Sequence, residues 1–229
     1  MISVFDFDGV VCDSIRECRR IAWYAFVNGA VADFATEVPD RVRDRFGRQR
    51  PFMRQLVHFI VPLPEGPEIA DRAAFDARFD ELAAGDARAF TEAAHAYRAA
   101  VRGARHAEWL ACHDVQPKIV ALLGGAYIAT ARDRESVLDL LAAHGVRMDP
   151  ERIFASLTDK TGALAEISRL EGVDPAGVQL VDDSVVNCLA ARKAKFGAAW
   201  ASWGYGAPGD DAIARDNGIP VLTLADLPA

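Results

Sequence analysis

The sequence predicts an α/β protein: a three-layer core around a mostly parallel sheet, interrupted after its first strand by an inserted helical domain. Three observations carry this. Residues 2–5 form a short apolar, β-prone run that ends on charge. From residue 13 to about residue 105 no stretch reads as a strand. Beyond Arg105, short apolar runs alternate with amphipathic helices, the pattern of a parallel sheet covered on both faces. The expected boundaries are 1–12 and 107–229 for the core and 13–106 for the insertion.

The composition is that of a globular protein of one large domain or a core with an insertion. At 229 residues the chain can bury an adequate core. No apolar run approaches the roughly 18 residues of a membrane span, and the start lacks a basic-then-apolar leader. A cytoplasmic protein without a membrane partner is therefore expected. The net charge of −7 argues against a general nucleic-acid surface. Cys12, Cys18, Cys112 and Cys188 form no CxxC pair and have no zinc-type histidine spacing, so they read as reduced, buried thiols.

In chain order, Ile2, Val4 and Phe5 suit a buried strand that runs into Asp6, Asp8 and Gly9. Two carboxylates this close predict a Mg²⁺ site, an acid/base carboxyl, or both, against the plainer alternative of a solvated strand end. Gly9 lets the backbone turn away there. Asp13-Ser14 with Glu17 resembles a capping box and opens a helix with Ile15, Cys18, Ala22 and Ala25 on one face. Asp40–Phe46 and Pro51–Val61 read as helical, and 62–67 as a Pro/Gly loop. Two longer helices follow, with Phe75, Phe79 and Leu82 on one face of the first and Phe90, Ala94, Tyr97 and Val101 on one face of the second. Both stripes are expected to be core.

The second half opens with an amphipathic helix over 115–123, then the strand AYIAT ending in Thr130. A helix over 133–144 stops at Gly145. RIFAS is a candidate strand, 160–170 a helix, and VQLVDDS a strand ending in Asp182 and Asp183. A helix over 185–194 and the segments AAWAS and GIPVLTL complete the run. If the strands are parallel, Asp6, Asp8, Thr130, Asp182 and Asp183 share one sheet edge, with Lys160 nearby. A nucleophilic carboxylate, a second carboxyl, a hydroxyl, a cation and further acidic groups make a kit for phosphoryl transfer.

In order, DFDGVV at 6–11, YIATAR around Thr130, TDKTGAL around Lys160 and VDDSVVN at 181–187 resemble the four motifs of the haloacid dehalogenase superfamily. WGYG at 203–206 resembles the tail of phosphoglycolate-phosphatase-like members, the branch with a helical cap after the first strand. The resemblance implies a Rossmann-like core and a Mg²⁺-dependent phosphatase acting on a small phosphorylated metabolite, as monomer or homodimer. It implies that Asp6 attacks phosphorus to form an aspartyl-phosphate, and that Asp8 serves as general acid and then base, its pKa raised by neighbouring carboxylates. Gly9, Thr130, Ala131 and Lys160 fall at substrate-binding positions. Mg²⁺ would sit on Asp6, the Asp8 carbonyl and Asp183, while Asp182 joins the metal set or instead orients Lys160 or a metal-bound water. Asn187 stands where many relatives carry an acid. Arg45 and Arg48, beside Gly47, are either substrate-selecting cap residues or a solvated basic helix end. The five histidines, Trp200 and Trp203 are expected to be structural. A phosphomutase, which excludes water, is the alternative enzyme, and a silent binding protein is the non-enzymatic one. A dehalogenase is disfavoured, because halide needs no proton from Asp8.

Overall fold

The computed structural model describes residues 1–83 and 87–227. It divides into two compact units, Met1–Asp13 with Asp114–Ala229, and Ser14–His113. Residues 107–113, expected with the core, thus belong to the second unit: α5 (His106–Leu110) continues from the preceding helix, and the buried Trp109 ties it to that unit's interior.

The first unit is built on six strands: β1 (Ile2–Phe5), β4 (Tyr127–Ala129), β5 (Ile153–Phe154), β6 (Val178–Asp182), β7 (Gly197–Ala201) and β8 (Val221–Leu222). They pair in the order β5-β4-β1-β6-β7-β8, every pair parallel. β1 is central, with Val4 opposite Tyr127 on one side and Leu180 on the other. Alternate residues such as Val4, Leu180, Val178 and Ala198 pack with Ala163, Leu164 and Ile167 of α8 (Thr161–Glu171) and with Val185, Cys188 and Ala191 of α9 (Val185–Lys193). The intervening Phe5, Ile128, Val181 and Ala199 are buried too, which is why these strands read as continuous apolar runs. α6 (Pro117–Val120) is a single turn. α7 (Arg134–Ala143) is capped by Asp133, whose carboxylate accepts from the Ser136 amide, and Gly145 follows at φ +74°. α10 (Asp210–Asp216) was not evident in the sequence.

A second, unexpected sheet is a two-stranded antiparallel ribbon of β2 (Cys12–Asp13) and β3 (Asp114–Val115), with Asp13 paired to Asp114. Two residues per strand leave no periodicity to read. β3 also takes the start of what the sequence presents as one amphipathic helix over 115–123.

The second unit is helical among its described residues: α1 (Ile15–Phe26), α2 (Asp40–Gln49), α3 (Arg72–Ala83), α4 (Ala87–Ala104) and α5. Cys18, Ala22 and Ala25 of α1 are buried, as are Phe90, Ala94, Tyr97 and Val101 of α4. On α3 Phe75 is fully buried, whereas Phe79 and Leu82 are half-buried. Two expectations change. Residues 51–61 form two 3₁₀ turns, 50–52 and 56–60, separated by extended backbone at Met53 and Gln55. Ser14 makes no side-chain capping bond, and the Glu17 carboxylate is fully buried, bonded to Arg98 Nε at 2.6 Å and Trp109 Nε1 at 3.3 Å. No described helix is long and apolar enough to cross a membrane.

Candidate active site

Each polar residue of the site sits where a strand stops. Asp6 follows β1, Thr130 follows β4, Asp182 ends β6 with Asp183 next, and Lys160 precedes α8. β1 lies between β4 and β6, so the chain's path across the sheet reverses there, and the strand ends open on one crevice.

Lys160 holds the centre. Its Nζ lies 2.8 Å from Asp6 Oδ1 and 2.6 Å from Asp182 Oδ2. The Phe7 amide also donates to Asp6 Oδ1, at 2.7 Å, so both contacts converge on one oxygen. Burial, reinforced by Asp182 and Asp183 and opposed by Lys160, pushes the Asp6 carboxyl up to about 8. Burial alone would lower the Lys160 ammonium, but Asp182 and Asp6 raise it above its ordinary range. Asp182, fully buried, also accepts from the Ser184 amide at 2.8 Å and from Asn187 Nδ2 at 3.1 Å. It is thus an ion-pair partner of Lys160, with Asn187 as a donor to it.

Asp183 is fixed from the WGYG segment. Its Oδ2 accepts the Tyr205 amide at 2.6 Å, and its carbonyl accepts Trp200 Nε1 at 2.7 Å. Trp203 Nε1 donates to the Val10 carbonyl at 3.1 Å, and the Tyr205 hydroxyl to Asp13 Oδ1 at 2.7 Å. Trp200 thus holds the backbone after β6, while Trp203 and Tyr205 pin the loop behind β1. Gly9, at φ +94°, is required there: a Cβ would lie 2.9 Å from Asp183 Cγ and overlap its Oδ2. Gly204 is equally confined, with a Cβ falling 2.6 Å from Asp183 Oδ2 and 2.7 Å from the Gly9 carbonyl.

Among the described residues, Asp6, Asp182 and Asp183 are the acidic, His or Cys cluster whose ligand atoms lie within 4.8 Å of one another. Three carboxyl groups crowd one ammonium here, and oxygen donors of this kind fit a hard divalent cation such as Mg²⁺.

The group against Asp8 is a guanidinium: Arg132 Nε lies 3.0 Å from both Asp8 oxygens and Nη2 2.9 Å from Oδ1. Thr130, buried at the strand end, accepts the Arg132 amide at 3.1 Å on Oγ1, and Ala131 between them is half-buried. The sequence reading passed over Arg132. The available signal was a cation two residues after Thr130, where an apolar strand had just ended.

Arg45 and Arg48 lie on α2 in the helical unit. The Arg45 guanidinium is spent on backbone, donating to the Pro62 and Leu63 carbonyls at 2.5 and 2.9 Å. Arg48 is exposed, and Arg41, Arg45 and Arg48 together line a cavity of about 340 Å³ with Gln49 and Glu68. His58 Nδ1 accepts the Arg54 amide at 3.0 Å, and His113 Nδ1 meets the Trp109 carbonyl at 2.8 Å; both are buried and structural.

No protein-family model and no curated protein matches the chain. Solved structures do. A predicted phosphoglycolate phosphatase from Haemophilus somnus aligns over 98% of this chain and 95% of its own, with TM-score 0.60 and 15% identity. A predicted phosphatase from Clostridium acetobutylicum aligns over 97% and 92%, with TM-score 0.59 and 15% identity. A haloacid dehalogenase-like hydrolase from Streptococcus pneumoniae aligns over 97% and 92%, with TM-score 0.57 and 16% identity. The chain has the fold of these proteins over almost its whole length.

Proposed function

We propose that this chain is a Mg²⁺-dependent phosphatase that hydrolyses a small phosphorylated metabolite through an aspartyl-phosphate on Asp6. The observation that carries the reading is the convergence of Lys160, Asp6 and Asp182 within 2.8 Å at the sheet edge, with Asp8, Thr130 and Asp183 on the adjoining strand ends. The phosphatases and hydrolases that share the fold support it.

Lys160 and the Phe7 amide hold the Asp6 carboxylate in place at Oδ1, and a carboxylate oxygen of Asp6 attacks phosphorus. The ester P–O bond breaks as the new one forms, and Asp8 gives its proton to the departing oxygen. Asp8 then takes a proton from the water that attacks the same phosphorus, releasing phosphate and the Asp6 carboxylate. Lys160 and the Thr130 hydroxyl hold phosphoryl oxygens, with the Ala131 and Gly9 backbone beside them. A divalent cation on Asp6, Asp183 and the Asp8 carbonyl would supply charge neutralisation at the transferred group. The helical unit is read as a cap, with Arg45 and Arg48 as its candidate substrate-selecting residues. Four free, buried cysteines support a reducing, cytoplasmic setting.

The test is phosphate release from a panel of sugar phosphates, phosphoglycolate and nucleotides, with and without Mg²⁺, beside Asp6→Asn. Metal-dependent turnover absent from the variant is the expected result. Release that persists in Asp6→Asn, or none from any compound by folded protein, would overturn the reading.

A further inference from the structure

We propose that Arg132 is the positioning residue for Asp8, and that it governs how strongly catalysis depends on the basicity of the leaving group. The inference rests on the reading of Asp8 as the acid/base given above. Arg132 approaches Asp8 as a fork, with three nitrogen–oxygen distances of 2.9–3.0 Å. The arginine side chain is 1% exposed and the aspartate 19%. The carboxyl is thus gripped from its buried side while part of it stays open to a substrate.

Arg132 is itself held by a ring contact and by its own backbone. Its guanidinium carbon lies 6.0 Å from the centroid of the Phe7 ring, and Phe7 separates Asp6 from Asp8 in the chain. Its amide donates to Thr130 Oγ1 at 3.1 Å, and its carbonyl accepts the Ser156 amide at 2.9 Å, with Ser156 in the left-handed region at φ +56°. One short segment therefore orients both the Thr130 hydroxyl and the Asp8 carboxyl. A planar guanidinium matches a carboxylate at two points, which fixes its rotation as well as its position; an ammonium fixes position alone.

Arg132 forms and breaks no bond. It stays charged and keeps its proton, so a proton leaving Asp8 goes to the ester oxygen and a proton arriving there comes from water. When Asp8 carries a proton on one oxygen, the fork keeps the other. Loss of the fork leaves the nucleophile and its lysine untouched and lets the acid rotate away. The cost then falls on substrates whose leaving oxygen needs a proton.

The experiment compares kcat/KM, which reports the steps through phosphoryl transfer, for an alkyl phosphate and for 2,4-dinitrophenyl phosphate, whose leaving group needs no proton. Wild type, Arg132→Ala, Arg132→Lys and Asp8→Asn are measured together, each checked for folding by thermal melt. Arg132→Ala is expected to lose about 100-fold on the alkyl ester and less than about fivefold on the aryl ester, in line with the usual worth of general acid catalysis. Arg132→Lys is expected to recover about tenfold of the alkyl loss, since charge returns without the fork. Equal losses on both esters would overturn the positioning role. If Arg132→Ala does not fold, Arg132→Lys decides the matter: a loss confined to the alkyl ester supports the proposal and a uniform loss overturns it. Asp8→Asn separates the two levels of inference. Without ester selectivity in that variant, the acid role of Asp8 falls and takes the proposal with it. If Asp8→Asn is selective and both Arg132 variants are not, the positioning role alone falls.

Discussion

Gly9→Ala adds one methyl group and probes whether Asp183 stands where a cation needs it. The backbone at φ +94° penalises a side chain by about 1–2 kcal/mol. The new Cβ would also lie 2.8 Å from Tyr205 Cδ2 and 2.9 Å from Asp183 Cγ. The ring is attached to a flexible arm and can swing, but Asp183 can yield only by giving up the 2.6 Å bond from the Tyr205 amide. A hydrogen bond to a buried charge contributes about 1.5–3 kcal/mol, so the total destabilisation is about 2.5–5 kcal/mol. Urea denaturation measures that loss, and calorimetric titration with MgCl₂ measures the second effect, an affinity lowered by about 10–100-fold as the carboxylate moves. A folded variant that binds Mg²⁺ as the wild type does would refute the assignment of Asp183 as a ligand. A variant of unchanged stability would refute the close packing of Gly9 on it.

Asp182→Asn and Asp183→Asn should separate two acids that are adjacent in sequence: the first cuts turnover more than about tenfold through Lys160 while Mg²⁺ affinity changes little, and the second removes Mg²⁺ binding in the same titration. Because Asp6 holds its proton up to about pH 8 before a cation arrives, Mg²⁺ binding should release a proton below that pH and tighten as pH rises from 6 to 8; titration in buffers of different ionisation enthalpy reads this, and pH-independent affinity would contradict it. His58 is pushed down to about 4 by burial and by Arg54, Arg72 and Arg50, so between pH 6.5 and 4 the unfolded chain takes up a proton that the native ring refuses. Stability should therefore fall with pH across that window, by about 3 kcal/mol at its lower end, and a His58→Phe variant should show a flatter urea-midpoint profile. Glu17→Gln, which leaves Arg98 buried without its charge partner, should cost about 3–5 kcal/mol, whereas Glu17→Met with Arg98→Leu should cost much less, as a double-mutant cycle would report.

The parts legible in the sequence were those whose signal is local. β1 and β6 announced themselves as apolar runs halted by carboxylates, and α4 by the spacing of Phe90, Ala94, Tyr97 and Val101. Parallel strands then brought Asp6, Thr130, Asp182 and Lys160 to one edge without further information. What stayed hidden depends on contacts between distant residues. Arg132 and Asp8 are 124 positions apart, so nothing in ATARDR says which acid the arginine meets. Glu17 sits three residues after Ser14 as a capping acid would, yet Arg98, 81 positions away, binds it. Residues 51–61 carry helical composition, but an extended Met53 breaks them into two 3₁₀ turns.

The ribbon of β2 and β3 has a consequence for how such a chain can change over evolutionary time. Asp13 and Asp114 are partners across a single antiparallel rung, so residues 14–113 depart from and return to neighbouring points. Closing a loop grows dearer only with the logarithm of its length, about 0.6 kcal/mol per doubling. To the sheet, then, a long detour and a tight turn are nearly the same connection. The interrupted gene segment is a socket: shorter, longer or unrelated inserts can be exchanged there without shifting the register of β1, and the chemistry at the strand ends is free to persist while whatever fills the socket is replaced.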